Sequence, residues 1–119
     1  MSDTVTEKRL KWLDQSLHDL DLSGTDIERG LGLYLKYFNP KETDFNIIEK
    51  TNERIIFRRT DFVDAISHAC RVLGLDVIEV NNKVYARAMN LMFERINLSL
   101  RHVFLNFQDG WYEERIEVT

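Results

Sequence analysis

The sequence predicts an α+β fold in which antiparallel hairpins form a sheet and the helices pack on one of its faces. Leucines recur every three or four residues over 6–20, which is typical of an amphipathic helix. Runs rich in β-branched and aromatic residues occupy 44–59 and 100–118, and Asp109-Gly110 is a strong hairpin signal within the second. The predicted order is helix, helix, hairpin, helix, helix, hairpin.

The first two helices are predicted over 6–20 and 26–38, as an antiparallel pair. The first has an apolar stripe that comprises Leu10, Leu13, Leu17 and Leu20. Thr25 and Glu28 form a capping-box signature at the start of the second helix, which should end before Pro40.

Two glycines, Gly30 and Gly32, lie inside the second helix, where each costs about 1 kcal/mol relative to alanine. They predict either close packing against this helix or a groove that admits a ligand. Their spacing does not indicate a phosphate-binding loop, because the pair neither follows a strand nor opens a helix.

The other two helices are predicted over 62–73 and 83–96. Asp61 is the expected N-cap of the former, and Asn81 or Asn82 that of the latter. The intervening LDVIEV is rich in β-branched residues, so we expect a short strand or an extended link there.

Length and composition predict a single domain over 1–119 with 44% hydrophobic and 30% charged residues, close to globular averages. Cys70 is the only cysteine, and the first residues do not resemble a signal peptide, so we expect a reducing, cytoplasmic location. The apolar runs are far shorter than the roughly 20 residues that cross a bilayer, which excludes a transmembrane role.

Side chains at catalytic or metal-binding spacings are absent from the sequence. His68 and Cys70 fall on different sides of one predicted helix, and no CxxC, HxxxH or HExxH spacing occurs. Glu113, Glu114 and Glu117 are interpreted mainly as the solvated face of an edge strand. We therefore expect no catalytic residues, no metal and no cofactor.

A non-catalytic small-molecule-binding or regulatory domain is the preferred functional hypothesis. Methionine and aromatic side chains adapt to irregular apolar ligands, which favours a pocket between the fourth helix and the final hairpin. Its expected lining comprises Tyr85, Met89, Met92, His102, Trp111 and Tyr112. If that surface is not covered within one copy, it should form a homodimer contact, and a dimeric interaction scaffold is a further alternative.

The other alternative is a winged-helix-like nucleic-acid-binding protein, with the hairpin around Asp109-Gly110 as the wing. Its candidate contacts are the basic residues Arg54, Arg58, Arg59, Arg87 and Arg101. The net charge of −4 disfavours nucleic acid unless these side chains share one surface.

Four segments from Phe45 onward, FNIIEKTNERIIFRRTDF, HACRVLGLDVIEV, YARAMNLMFERINLSLRHVF and GWYEERIEV, resemble a bacterial and archaeal family of unknown function. That family is itself similar to the aminothiazoline carboxylate hydrolase-like proteins. The resemblance implies the α+β fold and the location of a small-molecule pocket. Cysteines usual in the family are replaced by Thr60-Asp61, by Asn81 and near Glu113, so any chemistry that depends on them is lost here.

Overall fold

The computed structural model describes residues 4–60, 65–108 and 110–119. The helices are α1 (Thr4–Ser16), α2 (Asp26–Phe38), α3 (Ala65–Leu73), α4 (Val77–Asn81) and α5 (Arg87–Arg95). The strands are β1 (Phe45–Lys50), β2 (Arg54–Thr60), β3 (Leu100–Gln108) and β4 (Trp111–Val118). Short 3-10 turns at Leu17–Asp19 and Glu42–Asp44 follow α1 and precede β1, and a π-helical turn at Asn82–Ala86 joins α4 to α5.

The four strands form one antiparallel sheet in the order β1-β2-β4-β3, so the α+β prediction and both predicted hairpins are confirmed. Gly110 follows β3 with a φ of +86°, which suits a tight turn, while Asp109 lies outside the described residues. The strand β4 is central rather than at an edge, so the interpretation of its carboxylates as an edge-strand face is wrong.

The main core lies between the helices and one face of the sheet. Side chains alternate between the two faces along β4, so Tyr112, Glu114 and Ile116 are buried while the residues between them are half-exposed. The largest fully buried core side chains include Tyr34, Phe57, Phe93, Phe104, Leu13, Ile27, Leu33, Met89 and Met92.

The first helix differs from its prediction in length and in the face that it buries. It ends at Ser16 and continues only as a 3-10 turn, which leaves Leu17 exposed. Its buried residues are Thr6, Arg9 and Leu13, and it packs mainly against α5 rather than α2. A basic residue thus enters the interior where the leucine stripe predicted an apolar one.

The long helical segment begins earlier than predicted. Asp76 caps α4 by accepting hydrogen bonds from the backbone N–H groups of Ile78 and Glu79, so the expectation of a strand or link over LDVIEV is wrong. Asn81 and Asn82 lie within the helical segment and do not cap it. The predicted cap of the preceding helix, Asp61, falls outside the described residues.

The second helix has the predicted capping box at Thr25 and Glu28 and ends at Asn39 in a left-handed conformation. A side chain at Gly30 would overlap the Leu100 side chain, so close packing accounts for this glycine. At Gly32 a Cβ would meet only the Asp21 carbonyl oxygen, at an ordinary 3.5 Å.

Candidate functional site

A carboxylate, Glu114, lies at the centre of the sheet with none of its side chain exposed. The Tyr34 hydroxyl donates to its two oxygens at 2.9 and 3.0 Å, and His102 Nε2 lies 2.8 Å from Oε1. Arg59 Nε donates to Oε2 at 3.2 Å. A buried charge of this kind is tolerated because it is both paired and hydrogen-bonded.

Each partner of Glu114 comes from a different element. The strands β2 and β3 flank β4 and present Arg59 and His102 on the same inward face, while Tyr34 descends from α2. His102 Nδ1 has no hydrogen-bond partner in the described part of the chain. The contact with Glu114 needs a proton on Nε2, because a carboxylate oxygen can only accept a hydrogen bond.

The surroundings set the protonation of the acid and the phenol. Burial works to raise the pKa of Glu114, but the hydrogen bond from His102 and the charge of Arg59 outweigh it and hold that pKa below its usual value. Burial, aided by the nearby Glu114 charge, raises the pKa of Tyr34 well above its usual value. At neutral pH the cluster therefore contains a carboxylate and a neutral phenol.

This arrangement predicts a dependence of stability on pH. Because the pKa of Glu114 is lower in the folded chain than its ordinary 4.5, its contribution is present above pH 4.5 and is lost as the pH falls through the folded value. The stability difference between wild type and Glu114→Gln, measured by urea unfolding, should be constant near neutral pH and shrink in acid. A difference that persists unchanged below the folded pKa would contradict this assignment.

A second charged side chain, Arg9 of α1, is only 3% exposed and lies among aromatic rings. Its guanidinium carbon is 4.9 Å from the ring centroid of Tyr37, 5.1 Å from that of Phe38 and 5.5 Å from that of Tyr85. Its Nη1 donates to the Tyr85 carbonyl oxygen at 2.9 Å. These contacts supply cation–π and dipole stabilisation but no full negative charge.

Within the described part of the chain, Arg9 makes no ion pair with a carboxylate, and its Nε has no hydrogen-bond partner. The hydroxyl of Thr6, one helical turn earlier on the same face of α1, is also buried without a partner. Burial lowers the pKa of Arg9, yet an arginine stays charged at neutral pH. The interior around the three aromatic rings thus holds a positive charge that no carboxylate balances, beside unsatisfied donors. We call the set Arg9, Tyr37, Phe38, Arg59 and Tyr85 the arginine cage.

The arginine cage and the Glu114 cluster meet at the Phe38 ring. The Arg59 guanidinium carbon is 4.6 Å from its centroid, and Arg9 contacts the same ring. Glu114 balances the charge of Arg59, so the net charge of Arg9, Arg59 and Glu114 taken together is +1.

The structure separates the residues predicted to line a pocket. Tyr85 belongs to the arginine cage, and the Tyr112 ring lies 5.8 Å from the Arg59 guanidinium carbon. His102 binds Glu114. The remaining three residues lie elsewhere: Met89 and Met92 are fully buried in the main core, and Trp111 contacts Arg58 on the opposite face of the sheet.

The basic residues predicted to bind nucleic acid are largely occupied by acids. Arg54 pairs with Glu49, Arg58 with Glu113 and Arg59 with Glu114. Arg59 also faces the helices, whereas Arg58 lies on the opposite face of the sheet. Arg87 and Arg101 are exposed, on α5 and β3 respectively.

Sequence reasoning missed Arg9, Tyr34 and the burial of Glu114. The burial of Glu114 could have been predicted from the period-2 pattern of the final strand, where Glu114 shares a face with Tyr112 and Ile116. For Arg9 the signal was weaker, because a buried arginine on a leucine-rich helix is rare.

Comparison with known proteins adds no assignment, since neither a family model, a curated protein nor a solved structure matches the chain. In the described segments, no group of three or more His, Cys, Asp or Glu side chains could hold a metal ion. None of the helices in those segments combines the length and the hydropathy that a membrane span requires. An open depression of about 540 Å³ lies at the turn between β1 and β2, where Thr51, Asn52, Glu53, Arg54, Glu117 and Val118 line it.

Proposed function

We propose that this chain is a small-molecule-binding domain whose ligand carries a negatively charged group that pairs with Arg9. The observation that supports it is the buried guanidinium without a carboxylate partner. Uncompensated buried charges are costly, and their retention is most simply explained when a ligand supplies the counter-charge.

The expected ligand combines an anionic head with a flat apolar body. Arg9 Nε and the Thr6 hydroxyl are the free donors for the head. Tyr37, Phe38 and Tyr85 are half-buried, so they form the part of the cage through which a ligand would reach Arg9. Ring faces next to a positive charge suit an aromatic or otherwise planar anion. Of the residues that the sequence predicted to line a pocket, Tyr85 therefore stays a ligand contact, and the expected ligand is an anion instead of a mostly apolar molecule.

A thermal-shift panel tests this proposal. We expect benzoate, benzenesulfonate or phenyl phosphate to raise the melting temperature of the wild type in a saturable way, because binding to the folded state stabilises it by mass action. Benzamide, which has a similar shape but no charge, should have little effect. Arg9→Met should abolish the shift.

The matched control is Arg101→Met, which removes an exposed arginine from the far face of the sheet. It should retain the full shift. If no anion in the panel shifts the wild type, or if Arg9→Met responds as the wild type does, the proposal is wrong.

The homodimer predicted from the sequence also stays a proposal, on different grounds. Met89 and Met92, which motivated it, are fully buried within one copy. They cannot supply the contact, so a dimer needs another surface.

A further inference from the structure

The arginine cage contains two positive charges, and the protein itself balances one of them. Arg9 and Arg59 approach the same half-buried ring, since their guanidinium carbons lie 5.1 and 4.6 Å from the Phe38 centroid. Arg59 Nε contacts Glu114 Oε2 at 3.2 Å, and the side chain of this acid is completely buried. Within the described residues no carboxylate pairs with Arg9, so a ligand has one positive charge to balance.

The Tyr34 phenol lies within electrostatic range of both arginines and of the acid. Its hydroxyl donates to the two oxygens of Glu114, and its ring centroid is 4.6 Å from that of Phe38. Burial and the Glu114 charge raise the pKa of this phenol, while the positive charges of Arg59 and Arg9 act in the opposite direction. A ligand head beside Arg9 therefore also experiences the charges of Arg59 and Glu114.

We propose that Glu114 makes this site selective for ligands with a single negative charge, such as a carboxylate or a sulfonate, over dianions such as a phosphate monoester. This inference rests on the proposed anion site at Arg9 and names the charge class of its ligand. A monoanion leaves the two arginines, the acid and the ligand with no net charge. A dianion leaves one excess negative charge in the interior, where an unbalanced charge is costly to desolvate.

Glu114 remains charged over the pH range in which the two ligand classes differ. Burial works to raise its pKa, but the hydrogen bond from His102 and the charge of Arg59 hold that pKa below its usual value. The acid therefore opposes a second ligand charge throughout the neutral range. In the described part of the chain, the other titratable side chains around the two arginines come from α2, β3 and the π-helical turn and are Tyr34, Tyr37, His102 and Tyr85.

Phenyl phosphate tests this selectivity in the wild type, because the molecule changes its own charge. The second ionisation of a phosphate monoester lies near about pH 6, so this probe is mainly a monoanion at about pH 5 and a dianion at about pH 8. Benzenesulfonate is a monoanion at both values and corrects for any titration of the protein. In isothermal titration, the affinity for phenyl phosphate relative to benzenesulfonate should fall at least about tenfold between the two pH values.

Glu114→Gln tests whether this acid is the source of the selectivity. The change keeps the size of the side chain and adds one unit to the net charge of the site, so the relative affinity for phenyl phosphate at about pH 8 should rise at least about tenfold. Glu113→Gln is the matched control, since it makes the same change in the next residue of β4, which pairs with Arg58 on the opposite face of the sheet. Its relative affinity should stay at the wild-type value.

Circular dichroism establishes whether Glu114→Gln is folded, and if it is not, the comparison of the two pH values in the wild type decides alone. A relative affinity for phenyl phosphate that does not fall with pH in the wild type would overturn the selectivity but not the anion site. A folded Glu114→Gln variant that discriminates as the wild type does, or an equal change in Glu113→Gln, would do the same. If the wild type binds neither anion, the proposed anion site is wrong and the selectivity with it.

Discussion

Replacing Glu114 with alanine should lower the free energy of unfolding by about 3 to 5 kcal/mol, because it breaks the buried ion pair between this carboxylate and Arg59. The same change removes the acceptor of the buried Tyr34 hydroxyl and the partner of His102 Nε2. Polar groups that stay buried after losing a partner carry the full desolvation penalty. Urea unfolding at neutral pH measures the loss.

The neighbouring residue provides the control. Glu113→Ala removes an ion pair with Arg58 on the other face of the sheet, where the Arg58 side chain is 47% exposed. Exposed pairs contribute at most about 1 kcal/mol, so this variant should unfold close to the wild-type midpoint. Equal losses in the two variants would contradict the role assigned to the buried cluster.

Replacing Arg9 with methionine should raise the free energy of unfolding of the ligand-free protein by about 1 to 2 kcal/mol. Buried ionic groups replaced by apolar residues of similar volume often yield a more stable protein, and here the charge has no carboxylate partner. The cation–π contacts with the three rings oppose this gain, since each is worth about 0.5 to 2 kcal/mol. A stabilised variant that no longer binds anions would show that the arginine is retained for binding.

Arg101→Met is the control for composition, and it should change stability by no more than about 0.5 kcal/mol because Arg101 is exposed. Thermal and urea unfolding of both variants without added anion make the comparison. If Arg9→Met loses more than about 2 kcal/mol, the arginine supports the fold and the argument from an uncompensated charge fails.

The predictions that were confirmed depend on a strong pattern of hydrophobic residues, on turn residues or on a specific helix cap. The capping box at Thr25 and Glu28 and both hairpins lie where turn and strand chemistry predicted them. The prediction of a strand or link over LDVIEV was wrong because it followed from the β-branched residues of this segment. The Asp76 cap and the packing of the helix that follows favour a helix there instead.

The candidate site could not be predicted in the same way, since its members meet only through tertiary structure. Tyr34 and Glu114 are 80 residues apart, and Arg9 reaches the Tyr85 carbonyl across 76 residues. The run WYEERIEV looked solvated because four of its eight residues are charged. Only the position of β4 between two strands, beneath α2, turns one of those charges inward.

Isothermal titration of the wild type and Arg9→Met with benzoate and with benzenesulfonate tests the central claim most directly. We expect saturable binding of at least one of these anions to the wild type and an affinity lower by about 10- to 100-fold in the folded variant, as the loss of a buried charge-assisted contact implies. Arg101→Met should bind as the wild type does. Absence of saturable binding to the wild type, or equal affinity in Arg9→Met, would contradict the account.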